Sequence, residues 1–163
     1  MERAVFFDTN VWCDYFIRER PNSSAVFELI EYGLAHDYLF VSAACSMKDL
    51  HYFLQADSKR RLRSAGADLS EQQALVAKDQ ATACIEAVTE LAMLAPVGYN
   101  DVRMARSLSR KHPDFEDNVI VAAAMRIEPV VFVSSDRDLV RHAPLNAMTP
   151  IDALEHLKML DAA

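Results

Sequence analysis

The chain has 163 residues, of which 52% are hydrophobic and 25% charged, values of an ordinary globular protein rather than a disordered one. A formal net charge of -7 excludes attachment to nucleic acid by bulk charge alone and leaves room for an acidic site that needs a cation. Three cysteines, at 13, 45 and 84, exclude a disulfide framework and are too widely spaced for a zinc ribbon; reduced thiols in a cytoplasmic protein are the simple expectation.

The length fits one domain spanning 1–163. No run of 18 apolar residues is present, so no transmembrane helix is expected, and the apolar run near the N-terminus is too short for a signal peptide. With three glycines and no glycine-rich nucleotide motif, phosphate loops of that kind are absent from the sequence.

In chain order, Ala4 to Phe7 reads as a buried strand that ends at Asp8-Thr9-Asn10. A helix is expected from Val11 to Arg18, and a second, capped by Ser23 or Ser24, to Leu34. Tyr38 to Ser42 reads as the second strand, and a helix follows from Ser46 to Leu54. The polar, basic stretch from 58 to 70 suits either a helix extension or a mobile loop. Glu71 to Leu91 reads as a long helix, and Met93 to Val97 as a weak strand interrupted by Pro96. A helix from Asn100 to Lys111 is broken by His112-Pro113, and Asp117 to Arg126 is apolar nearly all round, hence buried. Val130 to Ser134 is the clearest strand, and Asp152 to Leu160 a terminal helix. Short apolar strands alternating with helices imply an α/β fold with a parallel central sheet covered on both faces.

In such sheets ligands bind beyond the carboxyl ends of the strands. Four aspartates fall there. Asp8 and Asp136 follow strands, Asp49 lies in the first turn after the second strand, and Asp117 opens the buried helix. Each alone suits a helix cap. Together at one edge they would repel each other unless a cation intervened, and hard oxygen donors at that density fit Mg²⁺ or Mn²⁺. Metal-assisted phosphodiester hydrolysis is the chemistry that follows.

Positive charge for a polyanionic substrate comes in two groups. Lys59, Arg60, Arg61 and Arg63 form one; Arg103, Arg106 and Arg110 form the other, on one face of a helix. The second reads equally as a phosphate track or as a solvated face. Trp12, Tyr15 and Phe16, like Tyr52 and Phe53, suit base stacking or the core, with the core favoured for Phe16. The histidines show no zinc spacing, and no G-x-S-x-G marks a serine hydrolase.

Four segments in order resemble the PIN-domain nucleases: Val5 to Asn10, Ser42 to Leu50, Asp114 to Ala124, and Val131 to Asp138. The resemblance implies a three-layer α/β/α sandwich and a Mg²⁺- or Mn²⁺-dependent ribonuclease acting on single-stranded RNA. It puts Asp8, Asp49, Asp117 and Asp136 at the metal and catalytic positions, with Asn10 and Ser134 in support. The family more often carries Glu where this chain has Asp49, and Glu116 is the alternative source of that carboxylate. Short members of the VapC toxin type also imply a small antitoxin partner and a homodimer. A non-catalytic binding module on the same fold is the competing reading.

Overall fold

The computed structural model describes residues 3–64, 66 and 70–163. The expectation for 58 to 70 falls partly on 65 and 67–69, which lie outside the described residues. Five parallel strands form one sheet: β1 (Ala4–Phe7), β2 (Leu39–Ala43), β3 (Ala92–Ala95), β4 (Val131–Val133) and β5 (Ala147–Met148). Their order is β3-β2-β1-β4-β5. The chain builds outward from β1 to β3, then crosses back to lay β4 on the other side of β1. Between β1 and β4 the winding therefore reverses, which is where parallel sheets open a crevice.

Both faces of the sheet are covered, which is why its strands are runs of apolar residues rather than alternations. In β1, Val5 and Phe7 point into a core shared with Trp12, Leu29, Leu50 and Leu157, and Ala4 and Phe6 into one shared with Ile120, Ala123, Ala124 and Leu139. The first face carries α1 (Thr9–Phe16), α2 (Ser23–Ala35), α3 (Ser46–Ser64), α4 (Glu71–Leu91) and α8 (Pro150–Asp161). The second carries α6 (Phe115–Ile127), against which α5 (Tyr99–Leu108) packs, and α7 (Arg137–His142). None of these helices is long and apolar enough to cross a membrane.

Several boundaries differ from the sequence reading: α1 is Thr9–Phe16 rather than Val11 to Arg18, and α6 begins at Phe115 rather than Asp117. Helix α3 runs on to Ser64, the helix extension that is one of the two readings of the stretch from 58, with Asp57 pairing with Arg60 and Arg61 one turn later on the same helix. Helix α5 stops at Leu108, where the backbone carbonyl accepts from both Lys111 and His112, so Arg110 lies beyond the helix. Strand β3 ends at Ala95, one residue before the proline that cannot continue a ladder. Helix α7 and strand β5 are additional elements.

The two ends of the described chain meet. Asp161 in the last turn of α8 accepts from Arg3 at 2.8 Å, from the Tyr32 hydroxyl at 2.9 Å and from the Tyr38 hydroxyl at 3.2 Å.

Candidate metal centre at the carboxyl edge of the sheet

Asp8 follows the last residue of β1 and caps α1. Its Oδ1 accepts from the Thr9 backbone N–H at 2.6 Å. Its Oδ2 accepts from the Asn10 amide at 2.7 Å and from the Ser134 hydroxyl at 2.8 Å. Asn10 binds β4's continuation as well: its side-chain oxygen accepts from Ser135 N–H at 2.9 Å. The sheet register puts Phe7 beside Val133, so the residues that follow these two strands converge at the reversal point.

Asp117 reaches the same place from the opposite wall. Asp114 caps α6, its carboxylate accepting from the N–H groups of Glu116 and Asp117. Asp117 thus stands in the first helical turn, where the macrodipole favours an anion. Asp49 approaches from the first turn of α3 and is paired with the exposed Lys48 at 2.9 Å.

Asp8, Asn10, Asp49, Glu116 and Asp117 line one pocket of about 260 Å³, together with Thr9, Cys13, Arg20, Phe53 and Ile120. A larger cavity, about 390 Å³, lies between the end of α1, α3 and α4 and holds none of these acids. Asp136 does not line the pocket. Its carboxylate caps α7, accepting from Asp138 N–H at 2.7 Å and Leu139 N–H at 3.3 Å. It acts on the pocket through space, raising the pKa of both Asp8 and Asp117. Arg103 and Arg106 are exposed on α5 and do not line the pocket, nor does Arg110 in the turn that follows.

The electrostatics are those of crowded acids. Asp8 is 2% exposed, and burial pushes its pKa up to about 6 against the opposing effect of its hydrogen bonds from Ser134, Thr9 and Asn10. Burial likewise raises Asp117 to about 7, and the neighbouring Asp8, Asp114 and Asp136 add to the rise. His112 partly offsets it, with Nε2 3.9 Å from the Asp117 carboxylate.

Among the described residues no three His, Cys, Asp or Glu side chains stand close enough together to hold a metal ion. The donor set nevertheless fits one. The pocket's acids are all carboxylates, which suit a hard divalent cation. The mutual repulsion of Asp8 and Asp117 is the surplus of negative charge such a cation relieves. The Cys13 thiol is pushed up to about 12 by burial, which makes it a poor nucleophile.

Sequence reasoning passed over Asp14, Arg20, Ser135 and His112. Asp14 is 1% exposed, and its two oxygens are taken by the Arg20 guanidinium and the Ser135 hydroxyl. The available signal was a lone acid inside the apolar run Val11 to Phe16, which no packed helix leaves unpartnered. Trp12 belongs to the core: it is fully buried, and its indole N–H donates to Ser42 Oγ at 2.7 Å. Tyr52, by contrast, is 74% exposed.

A family profile described as PIN domain matches residues 4–138, so the chain belongs to the PIN domain family, whose members are generally nucleases. That span includes all four segments singled out from the sequence, and the three-layer sandwich with its parallel sheet is the fold they implied. The structure is similar to a chain from the crystal structure of VapBC2 from Rickettsia felis bound to a DNA fragment from their promoter, with a TM-score of 0.64 at 11% identity, over 90% of this chain and 98% of that one. No curated protein matches the sequence.

Proposed function

We propose that the protein is a Mg²⁺- or Mn²⁺-dependent endoribonuclease that cuts single-stranded RNA. The observation that carries this reading is the convergence of Asp8, Asp49 and Asp117 on one pocket at the reversal point of the sheet. Asp8 and Asp117, which feel each other's charge, would supply the first ligands, and Asp49 and Glu116, which line the same pocket, would have to close in on the ion to complete its shell; Asp136 would act on it through space. The ion, when bound, supplies Lewis acidity at the scissile phosphate and a lowered pKa for the attacking water. Asn10 and Ser134 supply two of the three hydrogen bonds to the Asp8 carboxylate, so it needs no reorganisation to act. The raised pKa of Asp117 means that protons compete with a cation for this position near neutrality.

RNA as substrate follows from the family resemblance. Two exposed features support it: Tyr52, one turn after Asp49 on α3, as a platform for an unstacked base, and Arg103 with Arg106 on α5 as a backbone track. By the same resemblance, and by the likeness of fold to a chain of a VapBC assembly, we read the protein as a cytoplasmic toxin of the VapC type that pairs with a small antitoxin and forms a homodimer.

The test is cleavage of a mixed cellular RNA by purified protein with Mn²⁺, with EDTA, and with the Asp8→Asn variant. Discrete products that vanish with EDTA and fall at least about a hundredfold in the folded variant are expected. Cleavage retained in Asp8→Asn would remove Asp8 from the mechanism. The separation of the carboxylates favours a second reading, a binding module on the same fold. Calorimetric titration with Mn²⁺ separates the two, since the nuclease must take up the ion.

A further inference from the structure

We propose that Arg20 is the group that grips the substrate phosphate in this pocket, and that Asp14 is its positioning residue; the proposal rests on the nuclease reading above. Arg20 lines the pocket beside Asp8, Asn10, Asp49 and Asp117, with 32% of its side chain exposed. None of those three aspartates captures it. Its Nε donates to Asp14, and among the described residues its two terminal nitrogens make no hydrogen bond. The pocket lining therefore combines carboxylates with a guanidinium whose terminal nitrogens have no hydrogen-bond partner among the described residues. A bare surplus of acids would accommodate a cation alone. The added fork of donors matches the non-bridging oxygens of a phosphodiester, which an arginine binds in a planar, two-point contact.

Arg20 is held where a clamp must be held. Its backbone N–H donates to Ile17 and its carbonyl accepts from Ser23, both at 3.1 Å, so the loop is tied on both sides of it. Its guanidinium carbon lies 5.7 Å from the centre of the Phe53 ring. The carboxylate of Asp14 is fixed in turn by the Ser135 hydroxyl, and Ser135 N–H is bound by Asn10, whose amide holds Asp8. One continuous chain of hydrogen bonds thus sets the guanidinium relative to the Asp8 carboxylate. A residue serving only to neutralise buried Asp14 would need neither a place in the pocket lining nor this link to the acid.

The test measures binding of a fluorescein-labelled single-stranded RNA by anisotropy, with Mn²⁺ present, in the Asp117→Asn background that prevents cleavage. Kd is followed against NaCl concentration for that parent and with Arg20→Ala, Arg20→Lys or Asp14→Asn added. Arg20→Ala should weaken binding roughly tenfold or more, and lower the slope of log Kd against log salt by about 0.7, the value for one phosphate contact on a single strand. Arg20→Lys should keep the slope and still bind at least about threefold more weakly, because a point charge cannot make the fork. Asp14→Asn should fall between the two. A merely structural role would lower the melting temperature and leave Kd and slope unmoved. Kd and slope within twofold of the parent in folded Arg20→Ala overturn the clamp; if that variant fails to fold, an unchanged Kd in Arg20→Lys does so. If wild-type protein cleaves RNA while these values hold, the clamp alone falls. If the wild type neither cleaves nor binds RNA, both readings fall.

Discussion

Replacing Asp117 by asparagine should destroy activity and yet stabilise the metal-free protein. Its carboxyl rises from 3.8 to about 7 on folding, because it is buried and faces Asp8, Asp114 and Asp136. A folded-state pKa above the unfolded one means that the stabilising contribution is complete below pH 4 and is lost as the pH climbs through 7. At pH 8 the full rise corresponds to about 4 kcal/mol, at ~1.4 kcal/mol per pH unit. The side chain keeps 27% of its exposure, and solvent screening reduces the figure to roughly 2 kcal/mol. Asparagine carries no charge to repel. Thermal denaturation in EDTA, followed through the fluorescence of Trp12, the single tryptophan, should therefore show the variant melting some 4–8 °C above wild type at pH 8. The gap should shrink to about half or less at pH 5, where wild-type Asp117 is neutral in the folded state. Added Mn²⁺ should raise the wild type more than the variant. A variant that melts below wild type at pH 8, or a gap that does not close toward pH 5, would refute the reasoning.

Three further outcomes follow from the same structure. Ser134→Ala removes the hydroxyl that holds Asp8 Oδ2, accepts from Asn10 and from Asp136 N–H, and keeps the Asp8 pKa from rising further. The acid limb of its kcat/KM profile should move to higher pH, and urea titration should show a loss of about 1–3 kcal/mol. Gly33→Ala would place a Cβ 2.4 Å from the Phe40 ring, which is itself stacked on Phe7 at 4.9 Å. Chemical denaturation should find it about 1–3 kcal/mol less stable, with the slope of the transition unchanged. Arg126→Met leaves Asp101, buried and bonded to Gly98 N–H at 2.8 Å, without its counter-ion. We expect a loss of about 3 kcal/mol or more, and a melting temperature that recovers in the double variant Arg126→Met with Asp101→Asn.

What could be read from the sequence was local. Asp8 and Asp117 announce themselves because a strand ends or a helix begins at them, and those boundaries are written in the neighbouring residues. The runs at 4–7 and 131–133 are apolar throughout, and that at 39–43 is so but for Ser42, because both faces of the sheet are buried, and that pattern survives without any knowledge of partners. Strand β5 is two residues long, too short to carry a period, and exists only because β4 offers it an edge. The same limit hid the second half of the site. Asp14 is neutralised by Arg20, beyond the end of its helix, and by Ser135, which lies 121 residues along the chain. Arg110 failed in the opposite sense: helical spacing put it on a face with Arg103 and Arg106, but the helix ends before reaching it. Asp136 reads either as a cap or as one of four acids at the metal, and its carboxylate caps the N-terminus of α7.

The bond between Ser134 and Asp8 spans 126 positions of sequence, and that between Arg3 and Asp161 spans 158. Synthesis runs from the N-terminus, so Asp8 leaves the ribosome long before the strand that supports it. A nascent chain ending near residue 130 already carries Asp8, Asp49 and Asp117, but β1 lacks its β4 neighbour and Asp8 lacks Ser134. The last helix docks on α2 and receives Arg3, Tyr32 and Tyr38 around Asp161 later still. The Asp8 site is thereby completed late: the hydroxyl that holds its carboxylate arrives only with the residues that follow β4.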